Sequence, residues 1–154
     1  MPCYSALVDV LGWHAVELPI NLNIARVSDT SLAQETIRWY DPHFAPTPCW
    51  ERELPTLLAQ REQRGWLATR EGREVAFLLC VAKRTEMTLR VYHLALKNAA
   101  AAEEMRALLI TALRDTGKDK MRVGLEPEDS RAAMFLRGFG FQVEKDLFEM
   151  VKLL

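Results

Sequence analysis

The sequence has no excess of either charge: 20 Lys and Arg stand against 21 Asp and Glu, for a formal charge of −1. Without a basic surplus there are few counterions to release, which argues against a nucleic-acid binder that works by neutralising phosphates. The same balance argues against a polybasic membrane anchor. No apolar run approaches the roughly 20 residues that a membrane helix needs. The N-terminal stretch lacks a basic leader and carries Asp9, His14 and Glu17 among its apolar residues, so no signal peptide is expected. Cysteine is scarce as well. Cys3, Cys49 and Cys80 are odd in number and widely spaced, which suits reduced thiols in a soluble, cytoplasmic protein. What is present is 154 residues, 49% of them hydrophobic, enough for one domain whose core needs neither metal nor disulfide.

Patterning divides the chain into alternating elements. Tyr4, Ala6, Val8 and Val10 alternate with polar neighbours, so residues 1–23 read as one or two strands, and 23–27 as another. Ser31 with Gln34 fits a capping box opening a helix that should run to about Tyr40, stopped by Asp41-Pro42. Pro42, Pro46 and Pro48 make 41–49 an irregular loop, and Leu54, Leu57 and Leu58 mark a second helix with Gly65 as its stop. A hairpin about Glu71-Gly72-Arg73 should follow. Its second strand, Val75 to Ala82, is so continuously apolar that burial on both faces is expected. A third strand runs from Met87 to Leu96.

Residues 99–116 carry Ala101, Met105, Leu108, Leu109, Ala112 and Leu113 at helical spacing, ended by Gly117. Met121 to Leu125 reads as a strand. Asp129 can cap a helix through Arg137 that Gly138 ends, and Phe141 to Leu153 reads as a closing strand. This order predicts a mixed α/β (α+β) fold with an antiparallel centre, made partly parallel by one strand–helix–strand unit over 87–125.

Conventional site motifs are absent. His43 and Cys49 have no second Cys/His pair, so no metal is expected. Gly138-Phe139-Gly140 follows a helix and reads as its terminator rather than a dinucleotide loop. No Gly-x-Ser-x-Gly elbow occurs, and Cys80 lies in an apolar run that should raise its pKa.

Two local patterns carry a resemblance. One is Leu94-Ala95-Leu96-Lys97-Asn98 leading into Arg106-Ala107-Leu108-Leu109; the other is Asp129 to Phe141, ending in Gly140-Phe141. In that order they resemble the GNAT superfamily of acyl-CoA-dependent N-acyltransferases, over roughly residues 24–154. The resemblance implies a mostly antiparallel central sheet flanked by helices on both faces, and transfer of an acyl group from acetyl-CoA to a small-molecule or peptide amine. It implies a thioester carbonyl polarised by strand amides around Leu94 and Leu96, and a pyrophosphate held near Lys97, Ala101, Ala102, Glu103, Met105 and Asp129. Bare backbone at a helix start suits that anion.

The sequence departs from the family pattern at defined places. Where the family loop has a cationic or amide residue and two small residues, this chain has Ala100, Glu103 and Met105. At an effective dielectric of about 20, a carboxylate about 4 Å from a phosphate repels it by about 4 kcal/mol. Acids in a first helical turn also stabilise the helix by themselves. Leu136 stands where many members have a tyrosine acid, which leaves Tyr92 and His93 as the nearest acid–base candidates. Strand alternation predicts that they point to opposite faces.

Trp39, Tyr40, Phe44 and Trp50 flank the proline-rich segment and suit an amine with an apolar body, or simply close the core, as does Trp66. Residues 1–23 extend the usual beginning of the domain. They would add an edge strand, pair with a second copy as a homodimer, or resemble the tail of a preceding similar domain. The alternative to an enzyme is a GNAT-fold binding or interaction protein that has lost CoA.

Overall fold

The computed structural model describes residues 2–7, 12–13, 16–40, 54–97, 100–124 and 129–146. Within them, seven strands are β1 (Pro2–Leu7), β2 (Leu22–Val27), β3 (Gln63–Arg70), β4 (Arg73–Val81), β5 (Thr88–Leu96), β6 (Lys120–Val123) and β7 (Gln142–Asp146). Four helices are α1 (Leu32–Trp39), α2 (Leu54–Ala59), α3 (Ala102–Thr116) and α4 (Arg131–Phe139). The strands form one sheet in the order β2-β3-β4-β5-β6-β1-β7. All neighbouring pairs are antiparallel except β5 and β6, which are parallel and joined through α3. The mixed sheet with its antiparallel centre is as the patterning predicts.

Helices lie on both faces. On the first, Leu94, Leu96, Met121, Val123, Tyr4 and Ala6 pack with Met105, Leu108 and Leu109 of α3 and Ala133 and Leu136 of α4. On the second, Val27, Phe77, Leu79 and Ala95 pack with Leu32 and Trp39 of α1 and Leu57 of α2. β4 lies between the two clusters, which is why its apolar run is buried from Val75 to Val81. Trp66 on β3 belongs to the first-face core, where its Nε1 donates to Asp115 Oδ2 of α3 at 2.8 Å.

Several local expectations need correction. Gly65 does not stop a helix. It lies inside β3, where a Cβ would come within 2.5 Å of Leu32 Cδ1, so the glycine admits α1 close to the sheet. Ser31 precedes α1 but makes no side-chain cap bond, so the capping box is not formed. Ser130, not Asp129, caps α4: its Oγ accepts from Ala133 N at 3.0 Å. Gly138 is inside that helix, and Gly140, at φ 106°, ends it. The hairpin turn is Glu71-Gly72, both at positive φ, the geometry that matches a two-residue connection to the sheet twist.

The N-terminal strand is not at an edge. β1 sits between β6 and β7 and pairs with both, Tyr4 facing Val123 on one side and Val143 on the other. Residues 41–53, with the proline-rich loop, and the remainder of the expected closing strand beyond 146 lie outside the described residues.

Candidate functional site

The site grows from an irregularity in β5. Leu79 faces His93 and Cys80 faces Val91, so Tyr92 is an extra residue in the ladder with β4. Such a bulge shifts the alternation by one. Before it, Leu89 and Val91 point into the first-face core; after it, Leu94 and Leu96 do so. Tyr92 and His93 consequently share the second face, Tyr92 packing on the second-face cluster and His93 against Phe77 and Tyr40. The expectation that they point to opposite faces is overturned, because simple alternation holds only where the ladder has no insertion.

The same strand loses its other neighbour just there. β5 pairs with β6 only from Thr88 to Val91, opposite Lys120 to Val123. Among the described residues, no strand lies beside Tyr92–Leu96 on that side. Lys97 N–H donates to Val75 O at 2.9 Å, toward β4. Successive residues of a strand turn their peptide groups alternately to either side. Those of Leu94 and Leu96 are thereby directed to the open side, a set of backbone donors and acceptors beside a gap in the sheet.

Around the bulge the second face is aromatic. His93 is buried, and its Nε2 lies 3.1 Å from Trp39 O. A carbonyl only accepts, so Nε2 carries the hydrogen and Nδ1 is the basic nitrogen of the neutral ring. Trp39 stacks on Phe77 at 6.1 Å, and Tyr40 lies 5.7 Å from His93. Lys97, expected at the helix start, instead carries its Nζ 5.4 Å over the Trp39 ring on this face. Trp39 and Tyr40 are thus brought to the candidate acid–base residues; Phe44 and Trp50 lie outside the described residues.

On the first face, α3 begins at Ala102 with Ala101 as its cap residue. Alanine has no acceptor, so the cap is one-sided: Ala101 N–H donates to Glu104 Oε2 at 3.0 Å. Glu104 is buried, 3% exposed, with its other oxygen 2.9 Å from Arg70 Nε of β3. Arg70 Nη2 lies 3.5 Å from Glu103 Oε2. Neither N–H is aimed at its carboxylate well enough for a hydrogen bond, so both contacts are charge pairing. The two acids are turned to β3 rather than outward along the helix axis. Met105 is buried in the core and its N–H donates to Ala101 O, so it is used within the helix. The first-turn amides of Ala102, Glu103 and Glu104 have no carbonyl a turn earlier in the helix to bond.

α4 ties this end to β5. Arg131 donates from Nη1 to Lys97 O at 3.2 Å and from Nη2 to Ala100 O. Asp129 lies in the turn just before the Ser130 cap, and Leu136 is wholly buried beneath α3. Arg70 and Arg131 were not among the sequence candidates. Neither lies near the loop in sequence, and only the hairpin and α4 packing bring them there. Glu104 carried a signal, since an acid at the third helical position is half of a capping box.

A mixed sheet with helices on both faces, opened between parallel strands beside a long helix, is the fold of the GNAT N-acetyltransferases, and solved structures show it. A GCN5-related N-acetyltransferase from Kribbella flavida superposes with a TM-score of 0.61 at 14% identity, over 93% of this chain and 54% of that one. An aminoglycoside acetyltransferase from an uncultured soil metagenomic sample gives 0.54 at 19% identity, over 90% and 99%. The ribosomal-protein-S18-alanine N-acetyltransferase from Escherichia coli gives 0.56 at 14% identity, over 79% and 77%. Neither a protein-family model nor a curated protein matches the chain by sequence. The chain spans about half the length of the first of these structures. No described helix is long and apolar enough to cross a membrane.

Proposed function

We propose that this chain is an N-acetyltransferase that acylates an amine at the bulge of β5. The observation that carries the reading is the side of Leu94 and Leu96 left without a strand neighbour among the described residues, just after the bulge that sets Tyr92 and His93 on one face. Acetyl-CoA supplies, when bound, a thioester acyl group; the amine gains that group and loses a proton, and the departing sulfur takes a proton up. The first-turn amides from Ala102 to Glu104 would hold the pyrophosphate. The residues fit it because Arg70 draws the carboxylates of Glu103 and Glu104 aside. His93 Nδ1 accepts the amine's proton, and the carbonyl of Trp39 keeps the ring in that tautomer. Trp39 and Tyr40 form the apolar wall for the acceptor. The cytoplasm and a homodimeric state are part of the same reading.

A second reading is favoured by one specific contact. The buried Glu104 carboxylate already satisfies the Ala101 amide, as a bound anion would, so the chain would be a GNAT-fold binding protein that no longer takes CoA. Thermal unfolding in millimolar acetyl-CoA separates the two. A ligand at about 100 times its Kd stabilises the folded state by about 2.7 kcal/mol. A shift of that order, with thiol release on adding amines, supports the transferase; no shift up to several millimolar overturns it.

A further inference from the structure

One arginine crosses the end of the gap between β5 and β6. Those strands pair only from Thr88 to Val91 and from Lys120 to Val123, and α4 follows β6 in the chain. From the first turn of α4, Arg131 reaches back to the β5 side, where Nη1 donates to Lys97 O at 3.2 Å and Nη2 to Ala100 O. Ala100 N–H also donates to Lys97 O at 2.9 Å, so the guanidinium grips both ends of the turn that leads into α3. Its Cζ lies 5.6 Å from the centre of the Phe135 ring, one turn further along α4. Arg131 is partly buried. Two hydrogen bonds and a ring contact fix the plane of the group, and the bonds use two of its five N–H donors.

Its charge does nothing for α4. A cation in a first helical turn opposes the helix dipole, which favours acids there. Carbonyls supply no counter-charge, and among the described residues no carboxylate forms an ion pair with Arg131. Glu103 and Glu104, the acids of the α3 start, pair with Arg70 of β3 instead. Ala100 O belongs to the same peptide group as Ala101 N, so the guanidinium stands beside the start of α3. Leu94 is three residues before Lys97, about 10 Å along an extended strand. A ligand with its acyl end beside Leu94 would carry an anionic end toward the part of the gap that Arg131 spans. The remaining N–H donors, held in one plane, suit a phosphate, to which guanidinium bonds are charge-assisted.

We propose that Arg131 binds a phosphate of acyl-CoA, its two carbonyl bonds holding the guanidinium in place for that contact. The identity of the ligand rests on the transferase reading above. In calorimetric titration with CoA, Arg131→Gln should loosen binding about 10- to 100-fold, the range for one hydrogen bond to a charged group. It should also flatten the dependence of that affinity on salt. Arg131→Lys, which keeps the charge but loses the fork, should loosen CoA by less and keep the salt dependence; it carries the test if the Gln variant does not fold. Pantetheine, which has the thiol arm without phosphates, should shift the Tm of native and variant chains equally. Ser130→Ala removes the α4 cap and keeps the guanidinium, so it should lower Tm and leave the salt dependence unchanged. Unaltered CoA affinity in the folded Arg131 variants, a loss shared by pantetheine, or an equal loss in Ser130→Ala overturns the proposal. Thiol release from acetyl-CoA on adding a primary amine is read in parallel. A phosphate-selective loss of binding in a chain that releases no thiol keeps the role of Arg131 and counts against the transferase. Release by the native chain, with native CoA affinity in Arg131→Gln, does the reverse. No binding of CoA to the native chain up to several millimolar overturns both.

Discussion

Glu103 and Glu104 are adjacent acids with different surroundings, and their roles follow from those. Glu103 is half exposed and 3.5 Å from Arg70, so its ion pair is screened and worth little. Glu104 is buried and satisfies both a backbone amide and a cation, so truncating it strands two partners. Glu104→Ala should cost about 2–4 kcal/mol in denaturant unfolding, whereas Glu104→Gln, which keeps an oxygen for Ala101 N–H, should cost about half of that. Equal losses for the two variants would show that charge, not capping, holds the helix start. Cys80 illustrates a different environment. Complete burial pushes its thiol well above the ordinary range, so the folded state keeps a proton that the unfolded chain gives up. The stability this contributes is complete below the unfolded thiol's pKa of about 8.5 and declines as pH rises above it. Cys80→Val should flatten the alkaline limb of Tm against pH between about 8 and 10, and native Cys80 should resist iodoacetamide at pH 8.

At the scale of elements, β1 and β5 matter most. Among the described residues β7 has β1 as its only strand neighbour, so this edge of the sheet hangs on residues from the other end of the chain. Tyr4 is fully buried in the first-face core and its hydroxyl accepts from Arg137 Nη1 of α4 at 3.1 Å. Tyr4→Ala should cost about 3–5 kcal/mol, the range for a buried aromatic. Hydrogen exchange should show β7 losing protection before β3 and β4 do; uniform loss would mean that β1 is integral to the whole sheet. The bulge in β5 acts on the site instead of the edge. It turns one strand's alternation around, placing an imidazole and a phenolic side chain together, while among the described residues Leu94 and Leu96 face no strand on the β6 side.

Across the whole molecule, the two cores have different duties. The large first-face core joins α3 and α4 to the sheet, whereas the small second-face core is also the wall of the aromatic site. Leu57 and Leu108 are both wholly buried, so Leu57→Ala and Leu108→Ala should each cost about 2–5 kcal/mol. Only Leu57→Ala should slow thiol release from acetyl-CoA on adding a primary amine, because Leu57 shares its cluster with Trp39 of the proposed acceptor wall. A thiol-release assay on the two folded variants distinguishes them.

The sequence by itself determined the element order, the doubly buried β4, the long α3 with its Gly117 cap and the parallel β5–β6 unit. These depend on periodicity and on local turn and cap chemistry, which act within a few residues. It also brought forward His93, Trp39 and the acids of α3. What it could not determine was set by contacts far apart in the chain. Gly65 looked like a helix stop because the close approach of Leu32 is visible only after packing. Tyr92 and His93 looked opposed because one inserted residue in a ladder leaves no compositional mark. The place of β1 between β6 and β7 and the reach of Arg70 and Arg131 to the α3 start belong to the tertiary structure alone. There strand pairing and charge burial are decided by neighbours in space, which a linear pattern does not encode.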